Sequence, residues 1–91
     1  MNFTANFMRP IASSVSIDDD MITVNLKDGR IVSAPLAWYP RLLNADSGDR
    51  LKFKLVGGGV GIHWSVLDED LSIDGILAGI PALNSGNKIV A

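Results

Sequence analysis

Residues 57–72 read Gly57-Gly58-Gly59-Val60-Gly61-Ile62-His63-Trp64-Ser65-Val66-Leu67-Asp68-Glu69-Asp70-Leu71-Ser72. Ile62, Trp64 and Val66 alternate with His63 and Ser65, the two-residue period of a half-buried strand. Upstream, Phe53 and Leu55 alternate with Lys52 and Lys54, which gives a strand over 52–56. The glycines therefore join two strands as a hairpin or bulged bend, where positive φ costs glycine nothing. A phosphate-binding reading fails on the same residues. The dinucleotide fingerprint needs a glycine where Ile62 stands, and the Gly-Lys-Ser/Thr ending of a P-loop is missing. The glycines lead into a strand, so no helix N-terminus is offered to an anion.

Working outward, Ser72 and Gly79 bracket a short final helix over 73–78 as N-cap and C-terminal stop. Asp68, Glu69 and Asp70 just before it suit the positive end of its dipole. Toward the N-terminus, Val15 and Ile17 alternate with Ser14 and Ser16, and Ile22, Val24 and Leu26 alternate with Thr23 and Asn25. Asp18-Asp19-Asp20 is a solvated turn between them. Three adjacent carboxylates of an extended chain diverge, whereas cation sites draw ligands from converging positions. Asp28-Gly29 is a hairpin signal, and Ile31-Val32 open a third strand that Pro35 ends. Residues 13–34 thus form a three-stranded antiparallel meander. A helix is expected to begin near Ala37, with Pro40 in its first turn and Trp38, Leu42 and Leu43 against the sheet. Ser47-Gly48-Asp49 forms a turn or a short helical cap. The fold class is α+β: a meander, one helix, a Gly-rich β-turn-β segment and a short C-terminal helix. One domain spans 13–79, between an N-terminal arm (1–12) and a C-terminal tail (80–91).

The bulk properties bound the function. The chain has 91 residues, 47% hydrophobic, with eight basic and ten acidic side chains and no cysteine. That is one domain with a real core and apolar surface to spare for a partner, without disulfide or thiolate chemistry. Near-neutral charge disfavours a nonspecific nucleic-acid binder, which neutralises phosphates with a basic face. Arg50, Lys52 and Lys54 are the one basic concentration, and their alternation reads as the wet side of a strand. No apolar run is long enough for a membrane span, and the N-terminus lacks a signal-peptide pattern, so the cytoplasm is the expected compartment.

His63, the single histidine, could serve as a base or ligand only with converging partners. No serine lies in a nucleophile-elbow context, and Asp68, Glu69 and Asp70 are the nearby carboxylates. A structural or interface role is expected for it. Trp38, Tyr39 and Trp64 read as core anchors that also suit interfaces.

Several of these blocks, in this order, resemble domain of unknown function family 2442: Asp28-Gly29-Arg30, Pro35-Leu36, Trp38-Tyr39-Pro40-Arg41-Leu42, Gly61-Ile62-His63-Trp64 and Leu67-Asp68-Glu69-Asp70-Leu71-Ser72. Ala37 departs from the family's common Ser and Ser65 from its frequent Pro. The resemblance covers residues 13–79. It implies a small bacterial α+β domain, sometimes joined to a helix-turn-helix domain and often encoded beside toxin–antitoxin-like or other mobile-element partners. No enzymatic activity carries over, and the core and two tails leave no room here for an added domain.

The expectation is a non-enzymatic protein-interaction module without cofactor or metal, antitoxin-like or mobile-element-encoded, with a protein partner or a second copy. Its contact residues would be Trp38, Tyr39, Arg41, His63, Trp64, Asp68, Glu69 and Asp70. One alternative is a small-ligand or metal site built on His63 and the acids Asp68–Asp70. Another is a component of a nucleic-acid-linked regulator acting through Arg50, Lys52 and Lys54.

Overall fold

The N-terminal alternation folds as its period dictates. In a computed structural model that describes residues 9–82, β1 (Ala12–Ile17), β2 (Met21–Leu26) and β3 (Ile31–Pro35) form an antiparallel meander in that order. Ile22, Val24 and Leu26 point into the core, with Val15 opposite Val24 and Ala34 opposite Ile22. The other side of the sheet carries short neutral polar groups. Asn25 Nδ2 donates to Ser14 Oγ at 3.0 Å, and the hydroxyls of Thr23 and Ser33 lie 2.8 Å apart.

Both meander turns are built by aspartates. Asp18 Oδ1 accepts from the backbone N–H of Asp20 and of Met21, each at 2.7 Å. These bonds stabilise the carboxylate and hold Asp18 below the usual aspartate range. In the second turn Asp28 accepts from the Arg30 N–H, and Gly29 takes a φ of 98°. The acidic triplet thus makes a turn, as expected.

The expected first helix is split. Leu36–Trp38 is a single 3-10 turn, Tyr39 breaks out to φ −128° and ψ 83°, and α1 restarts at Pro40–Leu43. The cause is steric: a residue before proline is pushed out of the helical region, while proline itself suits the first helical position. Leu42 is buried as expected, but the shortened helix leaves Leu43 exposed. A one-turn helix, α2 (Ser47–Arg50), comes next.

The second half corrects two expectations. The strand read over 52–56 shortens to β4 (Lys54–Val56). It pairs with β5 (Gly61–Trp64), and β5 pairs in turn with β6 (Glu69–Ser72), so the second sheet has three strands rather than two. The acids read as a helix overture belong largely to that strand: Glu69 and Leu71 point inward, Asp70 and Ser72 outward. The final helix, α3 (Ile73–Leu77), is capped as its sequence demands. Ser72 Oγ accepts from the Gly75 N–H at 2.9 Å, and Gly79 closes the end at φ 73°.

One core joins the two sheets, built around Ile22, Val24, Leu36, Leu42, Ile62, Trp64 and Ile73. The glycine turn is where they meet. Gly59 O accepts from the Ala12 N–H at 2.8 Å, and a Cβ on Gly59 would lie 2.7 Å from Ala12 O. Of the expected flanks, Ala12 already belongs to β1, and Ala82 docks by its N–H on Trp38 O at 2.9 Å. Residues 1–8 and 83–91 of the expected arm and tail lie outside the described residues.

Candidate functional site

The β5–β6 hairpin gathers most of the chemically distinctive groups. Strand alternation sorts them: Ile62, Trp64, Glu69 and Leu71 face the core, whereas His63 and Asp70 face out. These last two are register partners, and Lys54 on β4 is the next partner of His63, so the three form one row across the sheet. His63 Nδ1 lies 2.6 Å from Asp70 Oδ1. A carboxylate on one ring nitrogen fixes the orientation of the ring.

At the tip, the Asp68 N–H donates to Ser65 O at 3.4 Å, and Asp68 adopts a left-handed φ of 52°. Aspartate tolerates that region better than bulkier residues do. Arg41 of α1 reaches across and donates from Nη1 to Leu67 O at 3.3 Å. The turn is therefore tied from within and from outside, and it holds Val66 60% exposed.

Packing also cuts several polar atoms off from water. Glu69 is only 2% exposed; its Oε1 accepts from the Asp70 N–H at 3.2 Å. Glu69 Oε2, the Tyr39 hydroxyl and Arg41 Nε are buried without a hydrogen-bond partner among the described residues. Burial pushes the Tyr39 phenol above its ordinary value, because the ionised form would lose its hydration.

The eight residues picked out in the sequence thus separate by burial. Tyr39, Trp64 and Glu69 lie inside the domain, where no partner reaches them without unfolding it. Trp64 stacks obliquely on Phe53, with ring centroids 5.8 Å apart, and donates from Nε1 to Arg50 O at 2.9 Å. Trp38 is half-buried under the chain at Gly79 and Ala82. Arg41, His63, Asp68 and Asp70 retain access to solvent.

Arg50 is the residue whose role the sequence hid. Instead of lining a wet strand face, it is buried at the end of α2. Its Nε donates to Leu42 O at 2.9 Å, and Nη2 donates to Leu43 O and Ala45 O, each at 3.2 Å. Those carbonyls lie at and just past the C-terminal end of α1, so the guanidinium caps it. With Arg50 buried and Lys52 paired to Asp49 at 3.2 Å, the basic trio presents no common face.

Chemically, the row can recognise polar or charged groups. For ligation the partners diverge: Glu69 points to the opposite side of the strand from Asp70. Among the described residues no three His, Asp or Glu side chains are grouped to hold a metal ion. Among them, too, no helix is long and apolar enough to cross a membrane.

No protein of curated function matches the chain. Two solved structures share the fold. One, a crystal structure of a protein of unknown function from Rhodospirillum rubrum, is 31% identical, with a TM-score of 0.71 over 79% of this chain and 89% of that one. The other, a solution structure of an uncharacterised protein from Chromobacterium violaceum, is 16% identical, with a TM-score of 0.69 over 98% of this chain and 84% of that one, a likeness of fold alone. Residues 12–82 match the model of a family described as a protein of unknown function (DUF2442), which spans both sheets and all three helices. The chain belongs to the DUF2442 family.

Proposed function

We propose that this chain is a non-enzymatic, cytoplasmic protein-interaction module that binds through the outward side of the β5–β6 hairpin. Val66 is the apolar anchor, Asp68 flanks it, and the Lys54–His63–Asp70 row supplies a polar rim. The observation that carries this reading is the exposure of Val66 on a turn fixed by Arg41. A side chain held out by a rigid backbone docks without the entropy loss of ordering a loop. A small apolar centre with polar surroundings is the usual anatomy of such a contact. An antitoxin-like, mobile-element-encoded role is the specific form that the family resemblance favours.

The test is co-expression and co-purification with the product of the neighbouring gene, followed by titration of the purified pair. The expected result is a complex that Val66→Asp weakens about tenfold or more, the loss of roughly one buried aliphatic side chain. His63→Ala should weaken it less. Failure to recover a complex, or equal affinity for Val66→Asp, would sink the reading.

A further inference from the structure

We infer that β1 is a self-pairing edge, through which two copies of this chain join their first sheets antiparallel around a two-fold axis at Ser16. This goes beyond the hairpin reading, because it concerns a different surface of the domain. The backbone ladder identifies the free groups. Asp18 N–H donates to Met21 O at 3.0 Å, which makes that pair the hydrogen-bonded closing pair of the β1–β2 turn. Ladder alternation then directs Ser16, the register partner of Thr23, toward β2. The N–H and C=O groups of Val15 and Ile17 therefore face outward from the sheet. Among the described residues nothing bonds to them; the nearest edge contact, Ala12 N–H to Gly59 O, stops short of Val15.

The other three edges are guarded. Pro35, at an outward position of β3, has no donor to offer. β4 has three residues and carries Lys54, while β6 has four and carries the charged Glu69 and Asp70. β1, by contrast, is uncharged from Ser13 to Ile17 and carries none of the lysines or prolines that blunt an exposed edge.

The occupant is set by charge and by the core. An antiparallel copy centred on Ser16 sets Val15 opposite the partner's Ile17 and Ile17 opposite the partner's Val15, each pair exchanging both backbone bonds. Val15 and Ile17 are only half-buried at the open side of the core, so each would cover the other copy's apolar flank. The Asp18–Asp20 turns lie at opposite ends of such a ribbon, whereas parallel pairing would bring them together. The contact is narrow, which places it among weak, concentration-dependent associations.

Sedimentation equilibrium over a wide concentration range tests this on the full chain. The mass should rise from 9.7 kDa toward twice that value. Ser16→Lys, on the solvated side and facing its own copy across the axis, should weaken association at least tenfold with an unchanged circular dichroism spectrum. Ser16→Glu should do the same, and an equimolar mixture of the two variants should regain association through opposite charges. A wild type that stays at monomer mass overturns the inference, as does a Ser16→Lys variant that associates like the wild type. Exchange protection of the Val15 and Ile17 amides in the monomer also overturns it, because another segment of the same chain then covers the edge. Val66→Asp should leave this association intact, so its failure and that of the hairpin reading are told apart.

Discussion

Replacing Arg50 by Met should cost about 3 kcal/mol, because it uncaps α1 while keeping an apolar stem of similar length. The guanidinium serves three backbone carbonyls at 2.9–3.2 Å and, at 3.3 Å, one oxygen of Asp19. Hydrogen bonds from a charged donor each contribute roughly 1.5–3 kcal/mol. The two longer ones fall at the low end, and carbonyls near the surface regain water, which brings the net loss to about 3 kcal/mol. A domain of this length has about 5–13 kcal/mol of stability in total. The midpoint of thermal unfolding should fall by about 15 °C, at ~4–8 °C per kcal/mol. Arg50→Lys should lose about 2 kcal/mol, since one ammonium cannot reproduce the fork. Asp19→Asn is the discriminating control: the Asp19 side chain is 91% exposed, and a wet ion pair contributes ~0.5 kcal/mol or less. Urea unfolding followed by tryptophan fluorescence reads all three, because Trp64 is fully buried and its indole bonds the Arg50 backbone, which no substitution removes. If Arg50→Met unfolds within 0.5 kcal/mol of the wild type, the capping argument is wrong. If Asp19→Asn costs as much, the ion pair rather than the cap holds the segment.

Gly59→Ala should destabilise by about 2–3 kcal/mol, from a φ of 107° and a Cβ driven to 2.7 Å from Ala12 O; Gly58→Ala, with φ 74° and open space, should cost only about 1 kcal/mol. Equal losses in urea unfolding would show that sheet-to-sheet contact is not what selects glycine at 59. Tyr39→Phe removes a buried, unpartnered hydroxyl and should be neutral or stabilising by up to about 1 kcal/mol; a loss above that would mean that the hydroxyl is bonded. In alkali the unfolded chain ionises Tyr39 first, since burial raises its folded value above the unfolded ~10. The stability present below that pH should therefore be lost as pH rises further. Tyrosinate absorbance from this single tyrosine should appear together with unfolding, and ordinary titration with tryptophan fluorescence unchanged would refute it.

How far the site could be read from sequence differs from residue to residue. Asp28-Gly29, Ser72 and Gly79 have roles set within a few residues, and the structure gives each the turn or cap its type implies. β6 was obscured because Glu69 occupies an inward position, so an acid interrupted the apolar alternation that identifies a strand. His63 was visible as a singular residue, but its pairing with Asp70 depends on that hidden strand. Arg50 was misread because its partners, the carbonyls of residues 42, 43 and 45, are chosen by the chain's reversal rather than by periodicity.

The sequence by itself determined the meander, the glycine bend, the caps of the last helix and the α+β class, because each rests on hydrophobic period or on the φ preference of single residues. Tertiary structure alone decided that Arg50 and Glu69 go inside, that Val66 is held out, and that Gly59 touches Ala12. Those outcomes depend on which distant backbone groups arrive nearby to satisfy or crowd a side chain, and no local pattern encodes that arrival.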